Sequence, residues 1–340
     1  MALLEVKNLF VTFDTKDGEV TAVRDVSFSL ERGKILGIVG ESGSGKSVTV
    51  YSIMGILAGG GRIVSGSVKF RGKELVGLSE EEMRKIRGNK ISLIFQDPMT
   101  SLNPFYTVGF QLREAIELHT DRRGGEAFAR ARELLALVGI TAPEERLRQY
   151  PFELSGGMRQ RIMIAMALAS EPDILIADEP TTALDVTIQA GILKLIKELR
   201  DKLGMAVIMI THDLGVVSAI CDEVTVMYAG KICEAGETRS VLENPRHEYT
   251  RALLRSLPTN KDKGGRLYSI KGSPPNLLYA DNGCPFAPRC EEAMKICLSE
   301  YPDVSNISGS HYARCWFIQK TELFRAFGDK DRNGTKRKDS

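Results

Sequence analysis

The stretch that decides the fold is ILGIVGESGSGKS, residues 35–47. Its first five residues form a solid apolar run, the pattern of a β-strand that is buried on both faces. The loop that follows matches GxxxxGK[ST], and residues 47–57 then show helical spacing. A loop in this position binds phosphate through backbone amides at the start of the helix. A merely flexible Gly-Ser loop is the alternative, and the strand and helix around it disfavour that interpretation.

Each residue type in this loop suits the binding of a nucleotide. Glycines let the backbone amides turn inward, Lys46 places a positive charge at the β and γ phosphates, and Ser47 offers its hydroxyl to Mg²⁺. The predicted nucleotide-binding residues are Gly40, Glu41, Ser42, Gly43, Ser44, Gly45, Lys46 and Ser47.

Four polar side chains follow other predicted strands. A carboxylate at the C-terminal end of a parallel strand faces the ligand crevice, so Asp178 and Glu179 are expected beside the phosphates. Asp178 suits the surroundings of Mg²⁺, and Glu179 suits a general base that deprotonates water in line with the γ phosphate. Gln96 is expected to contact Mg²⁺ or water, and His212 to reach the γ phosphate.

A second glycine-containing segment, LSGGM at 154–158, precedes a helix rich in Met and Ile. The helix itself fits a buried core, whereas the amides of Ser155, Gly156 and Gly157 form a second anion site at a helix N-terminus. A nucleotide already held by the first loop has no need of this second site. The sequence therefore suggests a head-to-tail dimer with shared nucleotides.

The composition is that of a soluble globular protein. The 340 residues suggest about two domains at roughly 150 residues each, and 43% of them are hydrophobic and 26% charged. A net charge of +2 gives no basic field for nucleic acid, and no apolar stretch is long enough for a membrane span or a signal peptide. We therefore expect no nucleic-acid partner, no membrane-spanning segment and no secretion.

Strand and helix patterns alternate along the chain except between Pro104 and Ala169, where helical patterns follow one another. Alternation of this kind predicts right-handed crossovers and a mainly parallel sheet. The expected fold class is an α/β P-loop NTPase with an inserted helical subdomain and a small Cys-rich C-terminal extension. The expected boundaries are an ATPase domain at 1–258, its helical subdomain at about 97–171, a Cys-rich domain at 259–325 and a disordered tail at 326–340.

Cys284, Cys290, Cys297 and Cys315 crowd into a segment too poor in periodic apolar residues to build a large core. Small modules of this sort often need a metal to fold. The spacing lacks the paired C-x-x-C of common zinc sites, so the residues alone leave zinc, an iron–sulfur cluster and four inert thiols open, while disulfides are disfavoured in a reducing compartment. We expect metal loss to affect assembly or stability more than nucleotide binding, because the ATPase motifs lie elsewhere in the sequence.

The ordered set of motifs resembles the nucleotide-binding subunits of ATP-binding cassette (ABC) transporters over about residues 1–258. The resemblance is carried by the phosphate loop, Gln96, LSGGM, ILIADEP, ALD at 183–185 and His212. It implies that ATP lies between the phosphate loop of one subunit and the signature segment, LSGGM at 154–158, of another. Asp185 and Met158, which stands where the family usually has Gln, then join Ser155, Gly156 and Gly157 in acting on the partner's nucleotide. Phe13, with Phe10 as the alternative, is implied to stack on adenine.

Three further segments are similar to those of oligopeptide and dipeptide importers, which have nickel importers as close relatives. They are QDPMTSLNP at 96–104, NPRHEYT at 244–250 and GCPFAPRC at 283–290. This resemblance implies an ATPase motor on the cytoplasmic face of the cell membrane. Its partners would be two permease subunits, a second copy or a homologous ATPase, and indirectly an extracytoplasmic peptide-binding protein.

The same resemblance bears on the metal, since in some relatives the C-terminal cysteines hold a 4Fe-4S cluster, which we favour over zinc. The implied cofactors are ATP, Mg²⁺ and this cluster, with Cys221 and Cys233 unligated. Importers of nickel or other small solutes remain an alternative. ABC ATPases of DNA repair or ribosomes fit less well because they usually carry two cassettes or long inserts, and exporters fit less well because they commonly fuse their membrane helices to the ATPase.

Overall fold

The structure, a computed structural model, describes residues 2–96, 101–182, 184–257, 268–279 and 282–319. Two β-sheets and the helices packed on them make up this part of the chain. The strands are β1 (Leu4–Thr15), β2 (Gly18–Leu30), β3 (Ile35–Val39), β4 (Gly61–Phe70), β5 (Lys73–Glu74), β6 (Ile91–Ile94), β7 (Ile174–Asp178), β8 (Ala206–Thr211), β9 (Glu223–Tyr228), β10 (Lys231–Glu237), β11 (Ser305–Ser308) and β12 (His311–Ala313).

The helices surround these strands and fill the long interval between β6 and β7. They are α1 (Lys46–Met54), α2 (Glu80–Arg84), α3 (Val108–His119), α4 (Gly124–Leu137), α5 (Pro143–Arg146), α6 (Gly156–Ala167), α7 (Val186–Leu203), α8 (Leu214–Ile220), α9 (Thr238–Glu243), α10 (Glu248–Arg255) and α11 (Lys295–Ser299). No helix in the described parts of the chain has the length and apolar character needed to cross a bilayer.

The larger sheet has the strand order β11-β12-β10-β9-β3-β8-β7-β6, and its strands from β9 to β6 run parallel. Its central strands are apolar on both faces because each face covers a core. In β7, Leu175 and Ala177 face the core under the helical region, whereas Ile174 and Ile176 face the core under the smaller sheet. The parallel arrangement brings the C-terminal ends of β3, β7 and β8 to one edge, where the polar residues lie.

The smaller sheet is antiparallel, in the order β2-β1-β4-β5. Buried residues of β1 and β2, among them Leu4, Val11 and Val23, pack with α1 and the central strands in one core. This sheet therefore covers the side of the larger sheet opposite the helical region.

Helices α3 to α6 form the helical region between β6 and β7, and the described residues from 101 to 171 contain no strand. Side-chain caps start two of these helices, Thr107 before α3 and Ser155 before α6. Leu112, Ile116 and Leu134 are fully buried in the core that this region shares with the sheet. The predicted α/β fold with inserted helices is confirmed; the predicted start of the subdomain at 97 lies outside the described residues.

The C-terminal part of the chain returns to the larger sheet. Strands β11 and β12 form a hairpin, and β12 pairs antiparallel with β10 through Glu234 opposite Ala313. Buried polar contacts reinforce this junction, because the Glu234 carboxylate lies 2.8 Å from His311 Nε2 and accepts hydrogen bonds from the backbone amides of Arg246 and His247 at 2.7 and 2.9 Å. The predicted boundary at 258 and the predicted tail at 326–340 lie outside the described residues.

Candidate active site

The phosphate loop runs from the end of β3 to the start of α1. Two of its glycines are required by space: a Cβ on Gly40 would lie 2.2 Å from the carbonyl oxygen of Met227, and one on Gly45 would lie 2.7 Å from that of Ala22. Gly45 also has φ of 96° in the N-cap position of α1, a conformation that favours glycine. The local sequence thus fixes a tight loop with its amides at a helix N-terminus.

Lys46 is the first residue of α1 and is only 5% exposed. Its Nζ donates hydrogen bonds to the carbonyl oxygens of Gly40 at 2.7 Å and Glu41 at 2.9 Å. Burial lowers the pKa of Lys46, while the nearby charges of Glu179, Asp178 and Glu41 oppose that shift. The ammonium group is therefore held inside the loop, on the side where the acids of β7 end.

Asp178 lies at the end of β7, is 1% exposed, and faces α1. Its carboxylate accepts hydrogen bonds from Ser47 Oγ at 3.1 Å and Tyr51 Oη at 2.9 Å. Burial raises the pKa of Asp178, and these two hydrogen bonds lower it in part. A serine hydroxyl beside a carboxylate is the hard oxygen donor set that Mg²⁺ prefers, so the residues present fit this ion. Sequence reasoning missed Tyr51, which carries no motif signal.

Glu179 follows directly, with φ of 47°, a strained backbone conformation for a residue with a side chain. Its Oε2 accepts hydrogen bonds from Gln96 Nε2 at 2.9 Å and Thr182 Oγ1 at 3.0 Å, and its Oε1 lies 3.2 Å from His212 Nδ1. Burial alone would raise the pKa of Glu179, but the bonds from His212 and Thr182 and the charge of Lys46 bring it below its ordinary value. The structure thus brings Gln96, Glu179 and His212 together, and it adds Thr182, which the sequence did not single out.

The signature segment LSGGM lies at the start of α6 and not at the phosphate loop or the strand ends described above. Ser155 accepts a hydrogen bond from Met158 N at 3.3 Å as its cap, and a Cβ on Gly157 would lie 2.9 Å from Ile188 Cγ2 of α7. Asp185 caps α7 and accepts from Ile188 N at 2.9 Å. Among the described residues, no hydrogen bond joins this segment to the phosphate loop of the same chain. Ala183, part of the ALD motif, lies outside the described residues.

Phe13, the predicted adenine-stacking residue, lies on β1 of the smaller sheet and is half-buried. Its ring lies over Gly61 of β4, where an added Cβ would come within 2.5 Å of the ring. Phe10 lies on the same strand and pairs with Ser65. The role of either ring stays a prediction.

The four C-terminal cysteines line one small enclosed cavity, whose walls also include Phe286, Pro302 and Trp316. Burial, with a smaller contribution from the neighbouring thiols, raises the pKa of Cys284 to about 12 and that of Cys290 to about 11. In the described part of the chain, no three His, Cys, Asp or Glu side chains are close enough to hold one metal ion. The cysteines of the prediction are thus gathered in space, but not around a single ion.

The first variable residue of the phosphate loop, Glu41, is held by residues far away in sequence. Its backbone amide donates to Tyr249 Oη of α10 at 2.8 Å. Its carboxylate receives two hydrogen bonds from Arg289, Nη1 to Oε2 at 2.7 Å and Nη2 to Oε1 at 3.1 Å. Sequence reasoning missed both partners; Arg289 lies in GCPFAPRC, where only the cysteines were singled out.

Family models match two parts of the chain. The model described as "ABC transporter" matches residues 23–182, and the model described as "Oligopeptide/dipeptide transporter, C-terminal region" matches residues 233–297. The first contains the phosphate loop, the signature segment, and Asp178 and Glu179 at the end of β7. The second contains three of the four crowded cysteines and Arg289.

Relatives match most of the chain. The oligopeptide transport ATP-binding protein OppD of Escherichia coli is 54% identical over 301 residues, covering 88% of this chain and 89% of that protein. The dipeptide transport ATP-binding protein DppD of Bacillus subtilis is 53% identical over 315 residues, covering 92% and 94%. The solved dimeric structure of the ATP-binding cassette MJ0796 bound to ADP and Pi is similar with a TM-score of 0.62 and 29% identity, covering 69% of this chain and 99% of that one. The chain therefore belongs to the ATP-binding proteins of ABC transporters, in their oligopeptide/dipeptide group, and is an ATPase of that family.

Proposed function

We propose that the chain is the ATP-hydrolysing motor subunit of an importer for di- or oligopeptides, working as one half of a head-to-tail ATPase dimer on two permease subunits. One observation carries the proposal: the same chain matches the family model of ABC transporters and the model of the C-terminal region of oligopeptide/dipeptide transporters. The relatives named above are transport ATP-binding proteins for oligopeptides and dipeptides. We place the subunit at the cytoplasmic face of the membrane, where ATP is available.

In this proposal the phosphate loop binds the nucleotide. Its inward amides and Lys46 hold the phosphate oxygens, and the helix dipole of α1 adds to their attraction. Ser47, Asp178 and Gln96 would hold Mg²⁺, which, when bound with ATP, neutralises phosphate charge. Tyr51 keeps the Asp178 carboxylate oriented toward Ser47, since both hydroxyls bind that carboxylate.

Glu179 is proposed as the general base. Its lowered pKa keeps it deprotonated at neutral pH, so it can accept a proton from water that attacks the γ phosphate. Thr182 and Gln96 hold one carboxylate oxygen in place. The other oxygen faces His212, whose exposed ring can reach toward the γ phosphate.

The signature segment is proposed to act across a dimer. Ser155, Gly156, Gly157, Met158 and Asp185 lie at or before the N-termini of α6 and α7, where capped amides favour an anion. A related cassette has been solved as a dimer with ADP and Pi, which supports such an arrangement. The second subunit is either another copy of this chain or a homologous ATPase.

The proposed permease site is a groove between β6 and the helical region. Apolar side chains form most of its lining, as expected for a surface that receives an amphipathic helix of the permease. They include Leu93, Phe95, Ala115, Met163 and Met166, with His119 at one side. The adjoining loop before α3 carries Phe105, which is 83% exposed. Residues 97–100, part of the QDPMTSLNP segment, lie outside the described residues.

The experiment that tests this function is purification of a tagged copy from detergent-solubilised membranes, followed by reconstitution. We expect two permeases to co-purify and a peptide-loaded binding protein to stimulate ATP hydrolysis. Stimulation by Ni²⁺ in place of peptides would move the chain to the nickel importers. Recovery with ribosomes or DNA, without permeases, would refute a transport role.

We also propose that Cys284, Cys290, Cys297 and Cys315 bind a structural 4Fe-4S cluster. Their convergence on one apolar cavity supplies four thiols, the donor set of such clusters. Four thiolates are also a donor set for zinc, which is the alternative metal.

Anaerobic purification tests this site. The protein should be brown, with iron and acid-labile sulfide, and Cys290→Ser should lower both while Cys221→Ser leaves them unchanged. Because thiolates are the ligands and the pKa values of Cys284 and Cys290 are raised to about 12 and 11, metal uptake should strengthen as pH rises. Colourless protein with stoichiometric zinc would overturn the choice of metal, and metal-free protein with an ordered C-terminus would refute the site.

A further inference from the structure

Arg289 joins the described residues beyond position 258, here called the C-terminal region, to the phosphate loop. Its side chain is only 6% exposed, and it makes a two-pronged ion pair with Glu41, a residue 248 positions earlier. Further hydrogen bonds fix the guanidinium plane: Nε donates to the carbonyl oxygen of Lys271 at 2.9 Å, and Nη1 donates to Tyr228 Oη at 3.0 Å. Because these bonds fix the planar guanidinium group, the Glu41 carboxylate can form both hydrogen bonds with it in one position only.

The turn that carries Arg289 is itself seated on the sheet. Phe286, 2% exposed, packs its ring against Tyr228 at 5.2 Å and Tyr249 at 5.3 Å between ring centroids. Tyr249 also accepts a hydrogen bond from the backbone amide of Glu41. Tyr249 therefore contacts both the turn that carries Arg289 and the phosphate loop.

Glu41 is consequently held on three sides. Arg289 binds its carboxylate, Tyr249 its amide, and Lys46 its carbonyl oxygen at 2.9 Å. Because Lys46 is the group that meets the nucleotide phosphates, a displacement of Glu41 moves an atom to which Lys46 is bonded. The carboxylate of Glu41 would also add negative charge near the phosphates if Arg289 did not neutralise it.

We propose that Arg289 is a positioning residue for the phosphate loop, so that the C-terminal region is part of the ATP site and sets the affinity for nucleotide. The proposal rests on the ATPase activity of the family and does not depend on which group, if any, the cysteines bind. Loss of the metal is expected from the sequence to affect assembly or stability more than nucleotide binding; the present proposal concerns Arg289, which lies between two of the four cysteines, and not the metal.

A neighbouring ion pair provides a matched control. Arg255 of α10 also bonds a residue of the C-terminal region, Glu291, at 3.2 Å. Both residues of that pair are exposed, and neither contacts the phosphate loop. Arg255→Met therefore removes a contact between the same two parts of the protein without touching Glu41. It also removes a bond within α10, from Arg255 Nη2 to Glu248 Oε2 at 3.3 Å, but Arg251 still pairs with Glu248.

The test compares Arg289→Met, Arg255→Met, Glu41→Gln and the double variant Glu41→Gln/Arg289→Met in the full chain, by MgATP titration and steady-state hydrolysis. We expect Arg289→Met to raise Kd and KM for MgATP about tenfold or more, because a charge-assisted contact is lost. The value of kcat should change less than about twofold. Arg255→Met should leave all three near the wild-type values. The double variant should bind no more weakly than Arg289→Met, because both changes break one contact.

Arg289→Lys keeps the charge without the fork and should fall between wild type and Arg289→Met, so it also tests the contact if the methionine variant does not fold. An unchanged Kd in Arg289→Met would overturn the proposal. So would an equal rise in Arg255→Met, since that result would indicate attachment of the C-terminal region rather than positioning of Glu41. Neither outcome would affect peptide-stimulated hydrolysis by the wild-type complex, so the proposed transport function is tested separately.

Discussion

Replacing Glu179 with Gln should stop the chemistry while leaving the site intact. In the wild type, Oε2 accepts two hydrogen bonds, from Gln96 and Thr182, and Oε1 faces His212 Nδ1. A glutamine can keep all three contacts: its oxygen takes the place of Oε2, and its amide donates to His212 in the tautomer with Nδ1 unprotonated. The substitution therefore removes the base without removing the hydrogen-bond network.

The size of the effect follows from this geometry. Loss of a positioned general base costs about 10²–10⁴ in rate, or about 2.7–5.4 kcal/mol at about 1.36 kcal/mol per tenfold. Binding of MgATP should change little, because Lys46, Ser47 and Asp178 keep their contacts with one another and with the loop. We therefore expect kcat to fall at least a hundredfold at nearly constant Kd, and ATP-bound dimers to accumulate.

The assay is phosphate release at saturating MgATP, together with nucleotide titration and size-exclusion chromatography. Glu171→Gln is a matched control, because Glu171 has the same residue type and a similar backbone, with φ of 55°, but pairs with Arg130 on the surface. Hydrolysis by the Glu179→Gln protein within about threefold of wild type would refute its assignment as the base. A large rise in Kd would instead refute the inference that the substitution leaves the site intact.

Three further predictions concern other parts of the molecule. Lys46→Ala should weaken MgATP binding about 10- to 100-fold in titrations, because a charged donor to the phosphates is lost, and unchanged affinity would contradict its role. Phe105→Asp should abolish transport in the reconstituted complex while basal hydrolysis stays within about twofold, and full transport would show that the permease docks elsewhere. His311→Ala should lower the free energy of unfolding in urea by about 2 kcal/mol, because it leaves the buried Glu234 carboxylate without its side-chain hydrogen-bond partner, whereas a loss below about 1 kcal/mol would mean that the backbone amides suffice.

Much of the fold was predictable because its signals are local. The apolar run at 35–39 predicts β3, and helical spacing at 186–203 and 214–220 predicts α7 and α8. The structure has the same bounds for all three, and Asp185 and Asp213 cap the two helices. Strand β10 was missed because it contains Glu234, a buried charge that interrupts its apolar pattern. Its partner β12 is short and distant in sequence, so no local pattern indicates their pairing.

The same distinction applies to the site. Lys46, Ser47, Asp178 and Glu179 belong to motifs with fixed local context, so their convergence could be inferred from strand ends alone. Tyr51 and Arg289 act through partners on other elements, and a tyrosine in a helix or an arginine in a loop carries no such context. Only the folded chain brings Arg289 to Glu41.

The position of β12 beside β10 has a consequence for folding during synthesis. Strand β10 ends at Glu237, but the strand that covers its outer edge begins only at His311. At about 5–20 residues per second, the ribosome needs about 4–15 s to make the intervening chain, and until then β10 exposes unpaired backbone groups that can pair with another nascent copy. The nascent ATPase sheet therefore has an aggregation-prone interval, which ends when the hairpin of β11 and β12 docks on its edge.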